Sequence, residues 1–486
     1  MVAATDGIAG KIRSGMAWSL IESWSVQLLQ FLAFMIVARY VEAAALGIVA
    51  MALLAGQFFQ MTILSGISAP MVSAGHDDPE LDDTAFWIAF AMGLLVLALT
   101  LACAGLAERL LHQPGLAGVL RWLSVANFLS ALNVVPQAWL SRALMMRPLA
   151  IRSALSTMAG ALTGIPMAVA GYGLTALVAQ NLVTAAIGAV ILWSACPRWP
   201  RWRFARRKGW EIFFYSRHVT LTGIANFFNS NSDVLIVGVL LGAAATGVYT
   251  VGKRALLAAN LLLARALSRV AFPAFSLLKG DRQRLAAAYL KMVSATSLIT
   301  TPAFVGMALA ADPFIHIFFG PRWSGAVIIM QYLSLFGALQ AVGIYNQSLM
   351  LALGKPHWQT WLAALYAVAN CTLFLAAADH GPGAIAAAFT MRAYLLYPLS
   401  IMGVITLLPV SWRDYWQAVR LGVFASAIMA GCVLAARHYM PPMGAMPTLA
   451  MIIGLGMGAY GCAILLLGRK AAGQILLFAR GRYGAA

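Results

Sequence analysis

Fourteen times along this chain, a run of roughly 20 residues or more passes with little or no charge. A bilayer core of about 30 Å takes about 20 helical residues to cross. Inside it every backbone N–H and C=O has to be satisfied within the segment, which a helix does by itself. The runs predict helices at roughly 15–38, 43–72, 84–107, 116–140, 153–171, 174–195, 212–240, 248–275, 285–311, 324–352, 359–378, 384–408, 418–436 and 448–468. Lys253, Arg254, Arg265 and Arg269 interrupt the eighth. Apolar residues make up 62% of the chain and charged residues 10%, against about 45–50% and 25% in soluble domains. Too little charge is present to cover a large water-soluble domain. The expected fold class is an all-α polytopic membrane protein. Lys11 and Arg13 precede a first run too long for a signal-peptide core, so that run reads as an uncleaved span.

The net charge of +18 comes without a basic tail or a Lys-rich patch, so nucleic acid is not an expected partner. The placement of Lys and Arg sets the orientation. With the N-terminus inside, cytoplasmic segments hold twenty-two of them and the opposite loops five, namely Arg39, Arg109, Arg121, Arg322 and Arg437. Both termini are therefore expected in the cytoplasm. One loop runs against the pattern: residues 76–83, His-Asp-Asp-Pro-Glu-Leu-Asp-Asp, are acidic and nominally inside. Five scattered cysteines form no CxxC or Cys/His spacing, so no metal and no cofactor are expected.

Shifting the chain by about 200 residues brings its halves into register. Ala43-Ala-Ala-Leu-Gly-Ile48 aligns with Ala243-Ala-Ala-Thr-Gly-Val248, Leu144-Met-Met-Arg-Pro148 with Ala352-Leu-Gly-Lys-Pro356, and Gly171-Tyr-Gly173 with Gly381-Pro-Gly383. Three matches in order, each at a helix junction, predict two parallel six-helix copies with two helices appended. The expected division is an N-terminal lobe at 1–196, a basic cytoplasmic linker at 197–211, a C-terminal lobe at 212–408, and helices 13 and 14 with a basic tail at 409–486. Parallel repeats of this kind suit a transporter that opens to each side of the membrane in turn.

Six cations fall within the predicted spans: Arg217, Lys253, Arg254, Arg265, Arg269 and Arg392, against only Glu22 and Asp233 well inside among the acids. A charge near the bilayer centre costs at least about 2.5–3.5 kcal/mol, so it faces water, a partner or a charged ligand. Excess cations point to an anionic ligand. Arg254, Ala258, Leu261 and Arg265 step by four, three and four residues and share one helical face. The planar guanidinium fork matches phosphate. Arg269 and Lys253 can instead snorkel to the interfaces. Asp233 and Arg254 are expected at similar depth in a hairpin, which suits an ion pair. Asn226, Asn229, Asn231 and Asp233 form a polar stretch that could instead bind sugar hydroxyls. Glu22 and Asp233 are the candidates for proton or sodium coupling, with structural pairing, including to Lys253, the alternative. The driving ion stays open. Gly456-Met-Gly-Ala-Tyr-Gly461 spells a dinucleotide fingerprint but lies in an apolar run with no preceding strand, so close helix packing explains it better. No P-loop, HExxH or GxSxG occurs. Loop carboxylates such as the Asp77–Asp78 and Asp82–Asp83 pairs would suit a membrane glycosyltransferase or polymerase, but only on an outer loop.

Several of these segments resemble one family. The run from Asn229 to Tyr249, the segment Arg269-Val-Ala-Phe-Pro-Ala-Phe-Ser276, Arg284-Leu with Tyr289-Leu, and Leu351-Ala-Leu-Gly-Lys-Pro356 are similar to the polysaccharide-transport flippases, as is the opening hairpin through Ala38-Arg39 and Leu46-Gly47. These belong to a superfamily with multidrug extruders and the lipid II flippase. The resemblance implies a V-shaped, two-lobed helical transporter in the bacterial inner membrane. It also implies movement of undecaprenyl-pyrophosphate-linked oligosaccharide repeats to the periplasmic leaflet, for O-antigen, capsule or exopolysaccharide. Candidate partners are membrane lipid, a polysaccharide polymerase and a chain-length regulator. On this reading Arg265, Arg254 and Arg392 bind the pyrophosphate in a central cavity, Asn229 and Asn231 help bind sugar, and the protein is not an enzyme. A drug extruder of the same fold is the runner-up, disfavoured because cationic drugs need an acidic cavity.

Overall fold

The structure is a computed structural model that describes residues 24–73, 78–143, 145–196, 198–441 and 443–468; the side chains of 63, 72, 73, 218, 259, 261–270, 272–274, 356 and 357 lie outside the described set. Its helices are α1 (Trp24–Tyr40), α2 (Ala43–Phe59), α3 (Ser65–Ser73), α4 (Pro79–Leu111), α5 (Leu116–Leu132), α6 (Val134–Arg142), α7 (Met146–Val169), α8 (Leu174–Ser194) and α9 (Arg206–Ile236). They continue with α10 (Gly242–Leu278), α11 (Arg282–Leu309), α12 (Ala311–Phe318), α13 (Gly325–Ala352), α14 (Pro356–Ala377), α15 (Pro382–Leu407), α16 (Trp412–Tyr439) and α17 (Ala445–Leu467). No strand occurs among the described residues. Leu94, Leu95, Leu99, Leu106 and Leu110 of α4 are about half exposed or more. A soluble protein does not present such a continuous apolar face to water. The chain is a multi-pass membrane protein.

Among the described residues eleven helical runs are long and apolar enough to cross a membrane, against the fourteen expected along the whole chain. Three runs account for the difference. The described part of the first run, α1, is short; α7 is not among the eleven; and the seventh and eighth runs merge into one stretch, Arg206–Ala258. That stretch of 53 residues would extend about 80 Å if straight. It is interrupted by a π-helical turn at Val237–Leu241 and by Gly242 at φ +82°, a left-handed conformation that suits glycine.

Two compact units divide the chain between Thr250 and Val251, later than the basic segment at 197–211 where the repeat puts the lobe division. In the first unit α4 packs on α5, α7 on α8, and α5 on α8. Its core gathers Phe59, Ile67, Met71, Ala85, Ala89, Val135 and Trp139 with Ile212 of α9. Helix α9 belongs here because it packs closely on the π-helical turn Gln60–Leu64: a Cβ on Gly223 would fall on the Met61 carbonyl oxygen. Thr220 and Ser216 of α9 donate to the carbonyls of Thr62 and Gly66 at 3.0 and 2.7 Å. A π turn loosens the regular carbonyl ladder, and these hydroxyls satisfy part of it, as the interior of a membrane requires.

The second unit is built on α11 against α13 and α16, with α13 on α15 and α16 on α17. Phe275, Leu285, Tyr289, Val293, Tyr345, Leu349, Ile401, Val404 and Tyr415 form its core. Several buried polar groups in this core are paired. Tyr289 donates to Asn346 Oδ1 at 2.6 Å and Asn346 Nδ2 to Ser400 Oγ at 2.9 Å; Thr296 bonds Tyr345, and Tyr397 bonds Tyr415, each at 2.6 Å. Asp281 caps α11, and Ser411 with Asp414 forms a capping box on α16.

Candidate functional site

The charged residues around Asp82 form a densely connected polar cluster in the first unit. Asp78 caps α4, accepting from the Leu81 amide at 3.1 Å, with Pro79 in the first turn where its missing N–H does no harm. One turn on, Asp82 is 2% exposed and receives Arg142 at 3.1 Å and Arg198 at 3.4 Å. Asp83, 1% exposed, accepts from the Arg201 amide at 3.1 Å, and Thr84 Oγ1 from the Ala205 amide at 3.1 Å. Lys208 reaches Asp78 at 2.8 Å, and its hydrogen bond holds the Asp78 carboxyl below the ordinary carboxylate range. Trp202 stacks on Trp87 and Trp199 on Trp193, at 4.1 and 4.9 Å between centroids. The acidic loop and the basic segment thus lie at one end of the helices. Asp82 and Asp83 are engaged in ion pairs and backbone bonds, an arrangement unlike that of carboxylates open to an acceptor sugar. Asp77 lies outside the described residues.

The polar stretch of α9 is also in the first unit. Asn229 and Asn231 are half-buried, and Asn231 Nδ2 donates to the Phe227 carbonyl at 3.2 Å. Asp233 is 1% exposed and accepts from the fully buried Tyr249 hydroxyl at 2.9 Å. Tyr249 directly follows the repeat segment 243–248. That segment meets its own repeat partner: a Cβ on Gly47 would fall on the Ala243 carbonyl oxygen, and one on Gly247 on the Ala43 carbonyl oxygen. The two duplicated corners therefore pack reciprocally, as in a two-fold contact. Glu22 lies outside the described residues.

Also in the first unit, a half-open cavity of about 210 Å³ lies between α2 with the π turn that follows it, α5 and α8, lined in part by Gln60, Asn127, Ser130, Asn181 and Thr184. The sequence reading missed these residues. They are scattered amides and hydroxyls spread over three apolar runs, and only their shared mid-span depth could have signalled them.

In the second unit, Gly252, Leu256 and Asn260 of α10 pack against α13. A Cβ on Gly252 would crowd Ile329, Leu256 meets Gly337, and Asn260 Nδ2 donates to Gln340 Oε1 at 2.7 Å. At about 100° per residue, positions 254, 258, 261 and 265 fall on the opposite side of that helix. Lys253 and Arg254 are half-buried. Arg265 is on the same helix, but its side chain lies outside the described residues. Arg392 is on α15 and 5% exposed, with its guanidinium carbon 5.1 Å from the Tyr366 ring and 4.9 Å from the Phe389 ring. Asn370, one turn from Tyr366, is fully buried, and neither of its amide atoms has a hydrogen-bond partner among the described residues. Among the described residues no cluster of His, Cys, Asp and Glu could hold a metal.

Comparison with known proteins bears on what this helical architecture serves. A family model described as "Polysaccharide biosynthesis protein" matches residues 36–328, more than half of the chain. The succinoglycan biosynthesis transport protein ExoT of Rhizobium meliloti (strain 1021) is 26% identical over 487 residues, covering 98% of this chain and 97% of that protein. The lipopolysaccharide biosynthesis protein WzxC of Escherichia coli (strain K12) is 23% identical over 350 residues, 70% of each chain. Among solved structures, the lipid II flippase MurJ in an inward closed conformation superposes with a TM-score of 0.77 at 16% identity, over 94% of this chain and 100% of that one. At that identity the likeness is one of fold.

Proposed function

The chain belongs to the polysaccharide biosynthesis protein family, and from that premise we propose that it is a flippase for undecaprenyl-pyrophosphate-linked oligosaccharide repeat units. It moves them from the cytoplasmic to the periplasmic leaflet of the bacterial inner membrane, feeding O-antigen, capsule or exopolysaccharide assembly. It is a transporter and not an enzyme. A full-length relative is named as a succinoglycan transport protein, and the fold is that of a lipid II flippase. Both termini lie in the cytoplasm, a reading supported by the twenty-two to five bias of Lys and Arg.

One observation carries the chemistry. The face of α10 that bears Arg254 and position 265 is turned away from the residues that pack on α13. A cation kept within a membrane span on the face away from α13, as Arg254 is, suits an anionic ligand. A guanidinium can donate two parallel bonds to phosphate oxygens. Arg254 and Arg265 bind the pyrophosphate, and Arg392, held between two aromatic rings, adds to the positive field from α15. Asn229 and Asn231 bind sugar hydroxyls. The polyprenyl tail stays in lipid while alternating access carries the headgroup. Glu22, Asp233 and Lys253 serve proton or sodium coupling or structural pairing, and no organic cofactor is needed. A polymerase and a chain-length regulator act downstream.

The test is glycan export from cells carrying single variants. Hydrogen bonds to charged groups contribute about 1.5–3 kcal/mol each, so Arg265→Ala and Arg254→Ala are expected to cut export at least about tenfold. Arg265→Lys keeps the charge but loses the fork, and is expected to fall between. Normal export by both Arg265→Ala and Arg265→Lys overturns the phosphate assignment.

A further inference from the structure

The half-open cavity between α2, α5 and α8 has a polarity that the phosphate-binding arginines do not explain. Gln60, Asn127 and Asn181 each stand near the middle of an apolar span, Ala43–Met71, Leu116–Arg142 and Leu174–Ser194. Polar groups at that depth are costly unless partnered. Among the described residues the carboxamides of Gln60, which is exposed, and Asn127, which is half-buried, bond to no other group of the protein, and both line the cavity. The other three donate to their own helices: Asn181 Nδ2 to the Leu177 carbonyl at 2.8 Å, Ser130 Oγ to Ala126 at 3.0 Å, and Thr184 Oγ1 to Gln180 at 2.7 Å. Their remaining oxygens can only accept, whereas the two open carboxamides can both donate and accept. Gly56 makes room for this arrangement, since a Cβ there would fall on Asn127 Oδ1. Gln60 opens the π-helical turn of Gln60–Leu64, an irregularity frequent at functional sites.

The chemistry of the ligand follows by matching. No Lys or Arg lines the cavity, so it is not an anion site; no carboxylate lines it, so a bare cation has no counter-charge. A hard cation is held by oxygens at about 2.3–2.6 Å, a far smaller cage than 210 Å³. An apolar ligand would strand the amides. A neutral ring bearing several hydroxyls satisfies both the acceptor-only oxygens and the open carboxamides. A half-open pocket of about 210 Å³ has room for one pyranose ring.

We propose that this cavity is a monosaccharide subsite, taking one uncharged sugar of the lipid-linked cargo separately from its pyrophosphate. This rests on the flippase reading and adds to it a second recognition element, contained wholly within the first unit. The test measures binding to the full-length protein in nanodiscs. The probes are undecaprenyl pyrophosphate alone and the same carrier bearing one glucose, galactose or N-acetylglucosamine.

The wild type is expected to bind at least one sugar-bearing carrier about tenfold or more tightly than the bare carrier. Asn127→Ala and Asn181→Ala should abolish that preference while leaving the affinity for the bare carrier unchanged, which also reports that the variants are folded. Gly56→Ala, which displaces the Asn127 carboxamide, should act like Asn127→Ala. If the wild type binds the bare and all sugar-bearing carriers alike, or if the asparagine variants keep the preference, the subsite is refuted and the flippase reading stands. If the wild type binds none of the carriers, the flippase reading itself fails and the subsite with it.

Discussion

Replacing Asp82 with asparagine removes a negative charge held between two guanidiniums. The carboxylate is 2% exposed; Arg142 reaches it with two nitrogens at 3.1 and 3.4 Å, and Arg198 with one at 3.4 Å. Breaking a buried ion pair by removing one partner costs about 3–5 kcal/mol. The two arginines do not share that loss equally. The Arg198 side chain is a third exposed and also lies 3.9 Å from Asp83, so its part is close to that of a surface pair. Arg142, with 13% of its side chain exposed, carries most of it. Asp82→Asn is therefore expected to destabilise the protein by about 3 kcal/mol. Unfolding in mixed micelles, followed by tryptophan fluorescence, measures the single variants and the Asp82→Asn/Arg142→Gln double variant. The expected coupling is about 2 kcal/mol or more. Hydrogen exchange adds a local readout, because the Arg201 and Ala205 amides bond to Asp83 and Thr84. They should exchange faster in Asp82→Asn as the 198–205 segment loosens. Additive effects within about 0.5 kcal/mol, with unchanged exchange at those amides, would refute the claim that Asp82 organises this end of the unit.

The Asp78 carboxyl is held below its ordinary value by Lys208. A lowered folded value contributes stability above the unfolded carboxylate range, and that contribution disappears as pH falls through the lowered value. Protection of α4's first turn should therefore be flat from neutral pH down to about 4 and fall only in stronger acid; Asp78→Asn should lower it at neutral pH and remove the acid step, as read by exchange against pH. Gly47→Ala and Gly247→Ala each place a Cβ on a backbone carbonyl of the facing corner and should cost about 1–3 kcal/mol. Gly105→Ala, with nothing within 4 Å, should be neutral or slightly stabilising in the same melting experiment. A cysteine at Arg203, in the exposed basic segment, should react with a membrane-impermeant maleimide in inside-out vesicles and not in right-side-out ones.

Much of the architecture was legible because the bilayer imposes a length and a polarity on every span. The best-matched segments of the repeat, around Gly47 and Gly247, pack against each other. The acidic loop at 76–83 looked anomalous because a rule based on Lys and Arg says nothing of what an acidic residue pairs with. Its described carboxylates meet Arg142, Arg198 and Lys208, which lie between 60 and about 130 positions away. The association of α9 with the first unit could not be read from the repeat, because the contacts that place it involve main-chain carbonyls of a π-helical turn. Such a turn leaves no compositional mark. The cavity residues were missed for a related reason: one asparagine in an apolar run signals nothing until two other helices bring theirs beside it.

The central claim is that this protein carries lipid-linked repeat units across the membrane. It is tested most directly by extracting those glycans from cells that lack the protein and finding which leaflet holds them. A glycan-binding probe applied to sealed vesicles of known orientation reads the leaflet before extraction. Completed repeat units accumulating on the cytoplasmic face, and relieved by the wild-type chain, are the predicted result. Single repeat units on the periplasmic face would contradict it, because translocation would then proceed without this protein and the missing step would be polymerisation.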